Sequence, residues 1–378
     1  MPKEHFFRRF SRSVESVNRK ITYALLRLFL RNVPHTVPLN NEKIKRILLF
    51  RYDAIGDMVV TTAAMDLLHK NMPGIEIDVI CSEYNCHIVR HNPQFKNIFI
   101  HKKTLTDITA LIRQVRKHKY DAVFCFVLFK TTYAGLLANV LAGRNASKIT
   151  ILFEARKALY DVFFNVHIPL QRDKYTMAEL QARMVCDVFG WHYIADTLSI
   201  SIPLGESNIN NANIFLEAHQ IPLHSPFIVY NISAGREYRE FSIEKSREIL
   251  VQTAETFSSV PIVIIAIEKD VPKAEKILHG LPQDKYYIFN SNDILDICAV
   301  VSRSAMVISP DTSLVHIASA YKKPTVAFYS EMTTYIYEWM PFNVPFRFLV
   351  APDKLEIEHI PTADCVEAIQ AMWGEVNS

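Results

Sequence analysis

The sequence predicts an α/β protein of two successive Rossmann-like units facing each other across a cleft. Three observations lead there. Apolar runs of strand length alternate with segments of helical length and spacing, the pattern of a parallel sheet covered by helices on both faces. The alternation lapses around residues 200–225 and then restarts. The 378 residues, 49% hydrophobic and 21% charged, exceed one ordinary core and suit about two domains of ~100–200 residues.

Residues 1–43 precede the first unit as a basic amphipathic arm. Lys3, Arg8, Arg9, Arg12, Arg19, Lys20, Arg27 and Arg31 stand against Glu4 and Glu15, a local excess of +6 in a chain of formal net charge +3. Val14, Val17, Ile21, Leu25, Leu28 and Phe29 recur along one helical face, with Arg12, Arg19, Arg27 and Arg31 mostly off it. Such a helix either packs on the protein or lies on an anionic bilayer, which attracts it by about 1 kcal/mol per basic residue. Residues 8–31 are the expected contact with an anionic membrane surface. Pro34, Pro38 and Asn40-Asn41 end the arm.

The first unit, residues 44–205, opens with the apolar run Ile47-Leu48-Leu49-Phe50 and a polar turn leading into a helix from about Ile55. Further strands are predicted over 75–81, 97–100, 120–127 and 148–152, and helices over 107–117, 131–141 and 176–189. Residues 206–225, Asn-rich and ending in Ile221-Pro222, read as a linker. In the second unit, residues 226–378, strands are predicted over 227–232, 261–267, 286–289, 305–309 and 325–329. The intervening helices fall over 243–257, 271–281, 293–302 and 312–321, and a final helix over 362–373 is expected to pack back across both units.

Composition excludes several functions. The mild net charge and the lack of a zinc-finger, RNA-recognition or helix-turn-helix signature argue against nucleic acid as a partner. Cysteines 81, 86, 125, 186, 298 and 365 form no CxxC, which fits free thiols in a reducing cytoplasm. Arg27 and Arg31 interrupt the early apolar residues, and no run reaches the ~18–20 apolar residues of a membrane span.

Two segments carry chemistry. In Ile55-Gly56-Asp57 an acid sits where the first strand turns into a helix, and in open parallel sheets the carboxyl ends of strands face the ligand crevice. Asp57 there either caps its helix or takes a proton. In Ser309-Pro310-Asp311-Thr312-Ser313 a strand ends, Asp311 or Thr312 caps the next helix, and N–H groups at that helix start suit an anion such as a diphosphate. His316, one turn on, reads either as a donor to a sugar or phosphate oxygen or as a core histidine. The loop from Asn231 to Arg239 adds Ser233 and the fork of Arg239, which either pairs with phosphate or stays solvated.

Taken in order, Ile55-Gly56-Asp57, Ser233 to Arg239 and Ser309 to Ala318 resemble glycosyltransferase family 9, the lipopolysaccharide heptosyltransferases. Asn71-Met72-Pro73-Gly74 and Lys323-Pro324-Thr325-Val326 extend the resemblance, which runs from about Lys45 to Tyr329. It implies a GT-B fold and an inverting, metal-independent transfer that needs no cofactor. The donor would be a nucleotide-diphosphate sugar of the ADP-heptose type, and the lipid-linked saccharide acceptor would be the lipid A–Kdo inner core of lipopolysaccharide. The enzyme would be cytoplasmic, peripheral at the inner face of the bacterial inner membrane.

Carried residue by residue, the family's catalytic aspartate falls on Asp57, with Asp53 in reserve. The donor would meet Ser233, Arg239, Asp270, Asp311, Thr312, Ser313 and His316, and the acceptor would meet Arg51, Gly56 and Lys130. The chain departs from the family at Ser313, where a glycine is usual, and at Ala266-Ile267-Glu268-Lys269-Asp270, where a glycine-rich turn is usual. It departs again at Ser330-Glu331-Met332, in place of Gly-Pro-Thr. Those departures leave two further readings, a relative that transfers another sugar and a sugar-nucleotide epimerase of the same fold. An inactive lipid-binding scaffold is a third.

Overall fold

A computed structural model describes residues 21–102, 104–128, 131–152, 161–257, 260–333, 335–352 and 356–377. Lys130 and the first twenty residues of the arm, with six of the eight basic side chains of residues 1–31, lie outside the described residues.

Among the described residues twelve parallel strands form two six-stranded sheets. The first holds β1 (Arg46–Arg51), β2 (Glu76–Ser82), β3 (Asn97–His101), β4 (Ala122–Cys125), β5 (Ser147–Ile151) and β6 (Val166–Ile168) in the order 3-2-1-4-5-6. The second holds β7 (Ile228–Asn231), β8 (Ile262–Ala266), β9 (Tyr286–Asn290), β10 (Met306–Pro310), β11 (Thr325–Tyr329) and β12 (Phe346–Val350) in the order 9-8-7-10-11-12, the same winding repeated. Strand order therefore reverses twice, between β1 and β4 and between β7 and β10, and these switch points are where open sheets leave a crevice.

The helices that cover the sheets are α1 (Ile55–Asn71), α2 (Leu105–Val115), α3 (Thr131–Ala142), α4 (Met177–Phe189), α5 (Glu206–Ala218), α6 (Ile243–Thr256), α7 (Val271–Leu278), α8 (Ile294–Arg303), α9 (Ser313–Ala320) and α10 (Thr362–Asn377). Helix α1 is apolar on nearly every side because α4 packs on one flank and α9, from the other unit, on another. One continuous apolar cluster thus includes Val59 and Met65 of the first unit with Leu314 and Ile317 of the second.

Three expectations need correction. The presumed linker contains α5, whose buried residues are Asn208, Ala212 and Leu216 at helical spacing. Asn208 disguises that face as polar; its amide donates to Asp296 at 2.6 Å on α8, the helix that α5 packs against. The last helix does not cross the units: Cys365, Ile369 and Met372 join the core of the second, and α10 packs on α6 and β12. Strands β6 and β12 went unpredicted because one is three residues long and the other is a half-exposed sheet edge.

Residues 21–30 of the arm are helical. Tyr23, Leu26 and Leu30 pack on the first unit, Tyr23 edge-on to Phe163, while Ile21, Leu25, Leu28 and Phe29 face outward, Phe29 with 80% exposure. The helix therefore has two apolar faces, and among the described residues only the one with Tyr23, Leu26 and Leu30 is packed against the first unit. Among the described residues no helix is long and apolar enough to cross a membrane.

Candidate active site at the paired switch points

A cavity of about 980 Å³ opens where the carboxyl ends of the two sheets confront each other. The segment after β1 forms one wall; the segments after β7 and β10 form the other. The two remote motifs singled out in the sequence line the same space.

On the first wall, Ala54 holds the N-cap position of α1 and makes no side-chain cap, and Asp57 follows in the first turn without capping it. Its Oδ1 instead accepts from Nη2 of Arg51 at 2.7 Å. Arg51, expected to meet the acceptor, is 1% exposed and does not line the cavity. Its Nε donates to the Asp57 carbonyl (2.9 Å), and its Nη1 to Asp53 Oδ2 (3.1 Å) and the Phe126 carbonyl beyond β4 (2.5 Å). Arg51 is thus a buried brace that fixes Asp57 at the cavity edge, and its role as an acceptor contact is corrected accordingly. Asp53 also lines the cavity. Desolvation raises its carboxyl to about 7, Arg51 opposing and the neighbouring Asp57 adding to the rise.

Gly56 owes its place to the other unit. A Cβ there would lie 2.8 Å from His316 Cδ2 and 3.4 Å from the Ser313 backbone, so only glycine lets the first turns of α1 and α9 meet. His316 is buried between Gly56 and Trp339, whose ring lies 5.9 Å away edge-on. Burial, helped by Arg51, lowers its imidazole to about 4, so it is neutral at physiological pH, and its Nδ1 is buried without a partner.

On the second wall Thr312, not Asp311, caps α9, its Oγ1 accepting from the Leu314 amide at 3.2 Å. Asn231 Nδ2, at the end of β7, donates to Thr312 Oγ1 (3.1 Å) and Ser309 Oγ (3.0 Å), locking one switch-point strand to the other. Ser233 donates to Asp270 Oδ2 at 2.5 Å, which places Asp270 beside the turn. Arg239 Nη1 pairs with Asp311 Oδ2 at 3.0 Å, and Thr333 donates to the same oxygen. Burial raises the Asp311 carboxyl while Arg239 pulls it back. Arg239 lines the cavity wall, and its Nε is buried without a partner. Of the expected site residues, Asp57, Gly56, Ser233, Arg239, Asp270, Asp311, Thr312, Ser313 and His316 line one cavity, while Lys130 lies outside the described residues.

Sequence reasoning missed an ion pair that joins the two units beside the cavity. Arg172, beyond β6, makes a two-pronged pair with Glu338 of the second unit (2.7 and 2.6 Å) and lies over the Tyr335 ring at 4.7 Å. The one available signal was Glu338 itself, a lone acid among aromatics in Tyr335-Ile336-Tyr337-Glu338-Trp339, yet 1% exposed. Among the described residues no group of three or more His, Cys, Asp or Glu is placed to hold a metal ion.

Comparison with known proteins agrees with this architecture. The model of the family described as Glycosyltransferase family 9 (heptosyltransferase) matches residues 108–344. The sequence is 19% identical over 353 residues to lipopolysaccharide heptosyltransferase 3 of Escherichia coli K12, covering 85% of this chain and 96% of that one. The fold is similar to a family 9 glycosyl transferase from Veillonella parvula (TM-score 0.75, 16% identity, 90% of this chain and 100% of that one). It is also similar to the E. coli heptosyltransferase WaaC with ADP-2-deoxy-2-fluoro heptose (TM-score 0.69, 18% identity, 88% and 100%).

Proposed function

The chain belongs to glycosyltransferase family 9, and from that premise we propose that it transfers a heptose from an ADP-heptose-type donor to the lipid A–Kdo inner core of lipopolysaccharide. The observation that carries the reading is the meeting of Asp57 and the α9 N-terminus on one cavity. An acceptor hydroxyl between them can lose its proton to Asp57 as its oxygen attacks the anomeric carbon from the face opposite the diphosphate. One displacement inverts the centre. Charge builds on the departing diphosphate, and the α9 start with Arg239 offers dipole and cation to receive it without a metal ion. In this reading Asp270, held by Ser233, accepts a hydrogen bond from a ribose hydroxyl of the donor.

The lipid-linked acceptor gives the arm a purpose. Ile21, Leu25, Leu28 and Phe29, exposed beside Arg27 and Arg31, suit the surface of an anionic bilayer, the inner face of the inner membrane in this reading. Leu25→Asp with Phe29→Asp should abolish sedimentation with phosphatidylglycerol vesicles while leaving turnover of a soluble acceptor intact.

The test of the main reading is product mass. Purified protein given ADP-heptose and Kdo-lipid A should add one heptose and release ADP in equal amount; no transfer, or transfer only from UDP-, GDP- or CMP-sugars, would refute the donor. Ser313 and the Ala266–Asp270 segment, which replace family glycines at the donor wall, favour one second reading, a family 9 enzyme that transfers another sugar. Thermal shift with ADP, UDP, GDP and CMP separates the two, because only a nucleotide that binds the native state raises the melting temperature.

A further inference from the structure

Two carboxylates share one buried guanidinium at the first switch point. Arg51 reaches Asp57 through Nη2 and Asp53 through Nη1, at 2.7 and 3.1 Å. A single positive charge so divided leaves the trio with a net negative charge when both acids are ionised. That matters for a proton acceptor: Asp57 lies both beside a guanidinium and in the first turn of a helix, two sources of positive potential. A second anion on the same guanidinium offsets part of the first.

The position of Asp53 is built, not incidental. Its carbonyl accepts from Ser82 Oγ at 3.1 Å, and the fully buried Asn85 donates its amide to the carbonyls of Arg51 (2.9 Å), Asp53 (3.4 Å) and Ala54 (3.3 Å). Asn85 is fixed in turn, its Oδ1 accepting from the Ser82 amide at 2.8 Å. The short loop between β1 and α1 is therefore tied down at three carbonyls, those of Arg51, Asp53 and Ala54. Asp53 Oδ1 is buried with no partner, although donors are the natural company of a buried carboxylate oxygen.

We propose that Asp53 is a positioning residue for glycosyl transfer, acting through Arg51 to hold and charge-balance Asp57 rather than by touching either sugar. The proposal rests on Asp57 being the proton acceptor. In the acceptor's deprotonation the O–H bond breaks, the proton passes to Asp57, and the oxygen's electron pair forms the new glycosidic bond as the diphosphate leaves with the old one. Asp53 exchanges nothing with the substrates. Its own ionisation, near pH 7, sets how much of Arg51's charge Asp57 bears, so turnover should rise as pH passes through that range. The groups facing Asp53 are few: Tyr52 and Arg51 on the β1 side, Asp57 on α1, Cys125 on β4, and His316 of α9 beyond Arg51. Burial raises Tyr52 and holds Cys125 up at about 12, and His316 is lowered to about 4, so none of these three titrates near 7.

The test is the steady-state kinetics of Asp53→Asn, which keeps the shape and an acceptor for Arg51 but removes the charge. Its kcat should fall about tenfold, with donor and acceptor KM within about twofold, and the rise of kcat through pH 7 should flatten; Asp53→Glu should restore part of both. Asp53→Ser repeats the comparison should Asn fail to fold, with the ADP-induced thermal shift as the check on folding. An unchanged kcat and pH profile would overturn the proposal, as would a loss confined to acceptor KM, which would mean direct contact with the sugar. Asp57→Asn measured alongside separates the two claims. If it is inactive and Asp53→Asn is normal, only the present proposal falls; if it turns over normally, both fall.

Discussion

The two halves of this chain wind their six strands in the same order, yet the two switch points perform opposite electrostatic tasks. At the first, the turn after β1 sets Asp53 and Asp57 around a buried arginine, so acid is gathered at a helix N-terminus. At the second, the turn after β10 offers Thr312 and Ser313 at the helix start and keeps Asp311 bound to Arg239 and Thr333, so the helix end faces the cavity with hydroxyls, amides and a cation. The backbone dipole is the same in both places, about half a positive charge at each helix start. In the proposed reaction the side chains around it decide whether the site takes up a proton or holds an anion. Repeating one scaffold and redecorating its turns is enough to make both halves of a transfer site.

The contrast can be broken from either side. The largest effect should come from Asp57→Asn, which removes the proposed proton acceptor: turnover should drop by about 10²–10⁴ while ADP affinity by calorimetry stays put, since the wall at α9 is untouched. Arg239→Ala attacks the other wall and should weaken ADP by roughly 10–100-fold, the range expected for a lost charged hydrogen bond. Because that change also leaves Asp311 buried without its cation, Arg239→Lys serves as the control for charge without the fork.

A smaller effect should follow where the walls touch. Gly56→Ala pushes a methyl against His316, itself backed by Trp339, and should cost about 1–3 kcal/mol of stability by denaturant unfolding, the usual range for overpacking. Pairing it with His316→Ala, which vacates the space, should recover part of the loss; no recovery would show the contact is not the cause.

The smallest effect concerns pH. Asp53 has a folded-state pKa of about 7, above its unfolded value, so between those values the native state holds a proton that the unfolded chain has lost. Stability from this group is fully present below the unfolded pKa and declines as pH rises to about 7. Asp53→Asn should remove that decline, so the variant's melting temperature should gain on wild type by a few degrees between pH 4 and pH 8. Parallel melting curves would disprove it. The same substitution would then raise stability while lowering turnover, a trade common where charge is gathered for chemistry.

Much of this was legible in the sequence, and the limits have physical causes. The strand and helix alternation survives in one dimension because each buried strand needs its own run of apolar side chains. Helix α5 was illegible because a buried asparagine stands in its apolar stripe, satisfied by Asp296 from a helix far along the chain. Asp57 and Thr312 could be found as an acid and a cap at strand-to-helix turns, since local chemistry marks such turns. Arg51 read as an acceptor contact because nothing nearby in sequence reports that Phe126 and two acids enclose it.

By itself the sequence determined the repeated α/β winding, the family, and the two turns that carry polar function, because periodicity and capping are encoded within a few residues of where they act. Only the tertiary structure decided that Gly56 must be glycine, that His316 is held neutral, that Arg51 braces rather than binds, and that Arg172 and Glu338 join across the cleft. Each of those facts depends on which distant groups exclude water from a side chain or come within hydrogen-bond reach of it, and that is settled only when the two sheets have closed on each other.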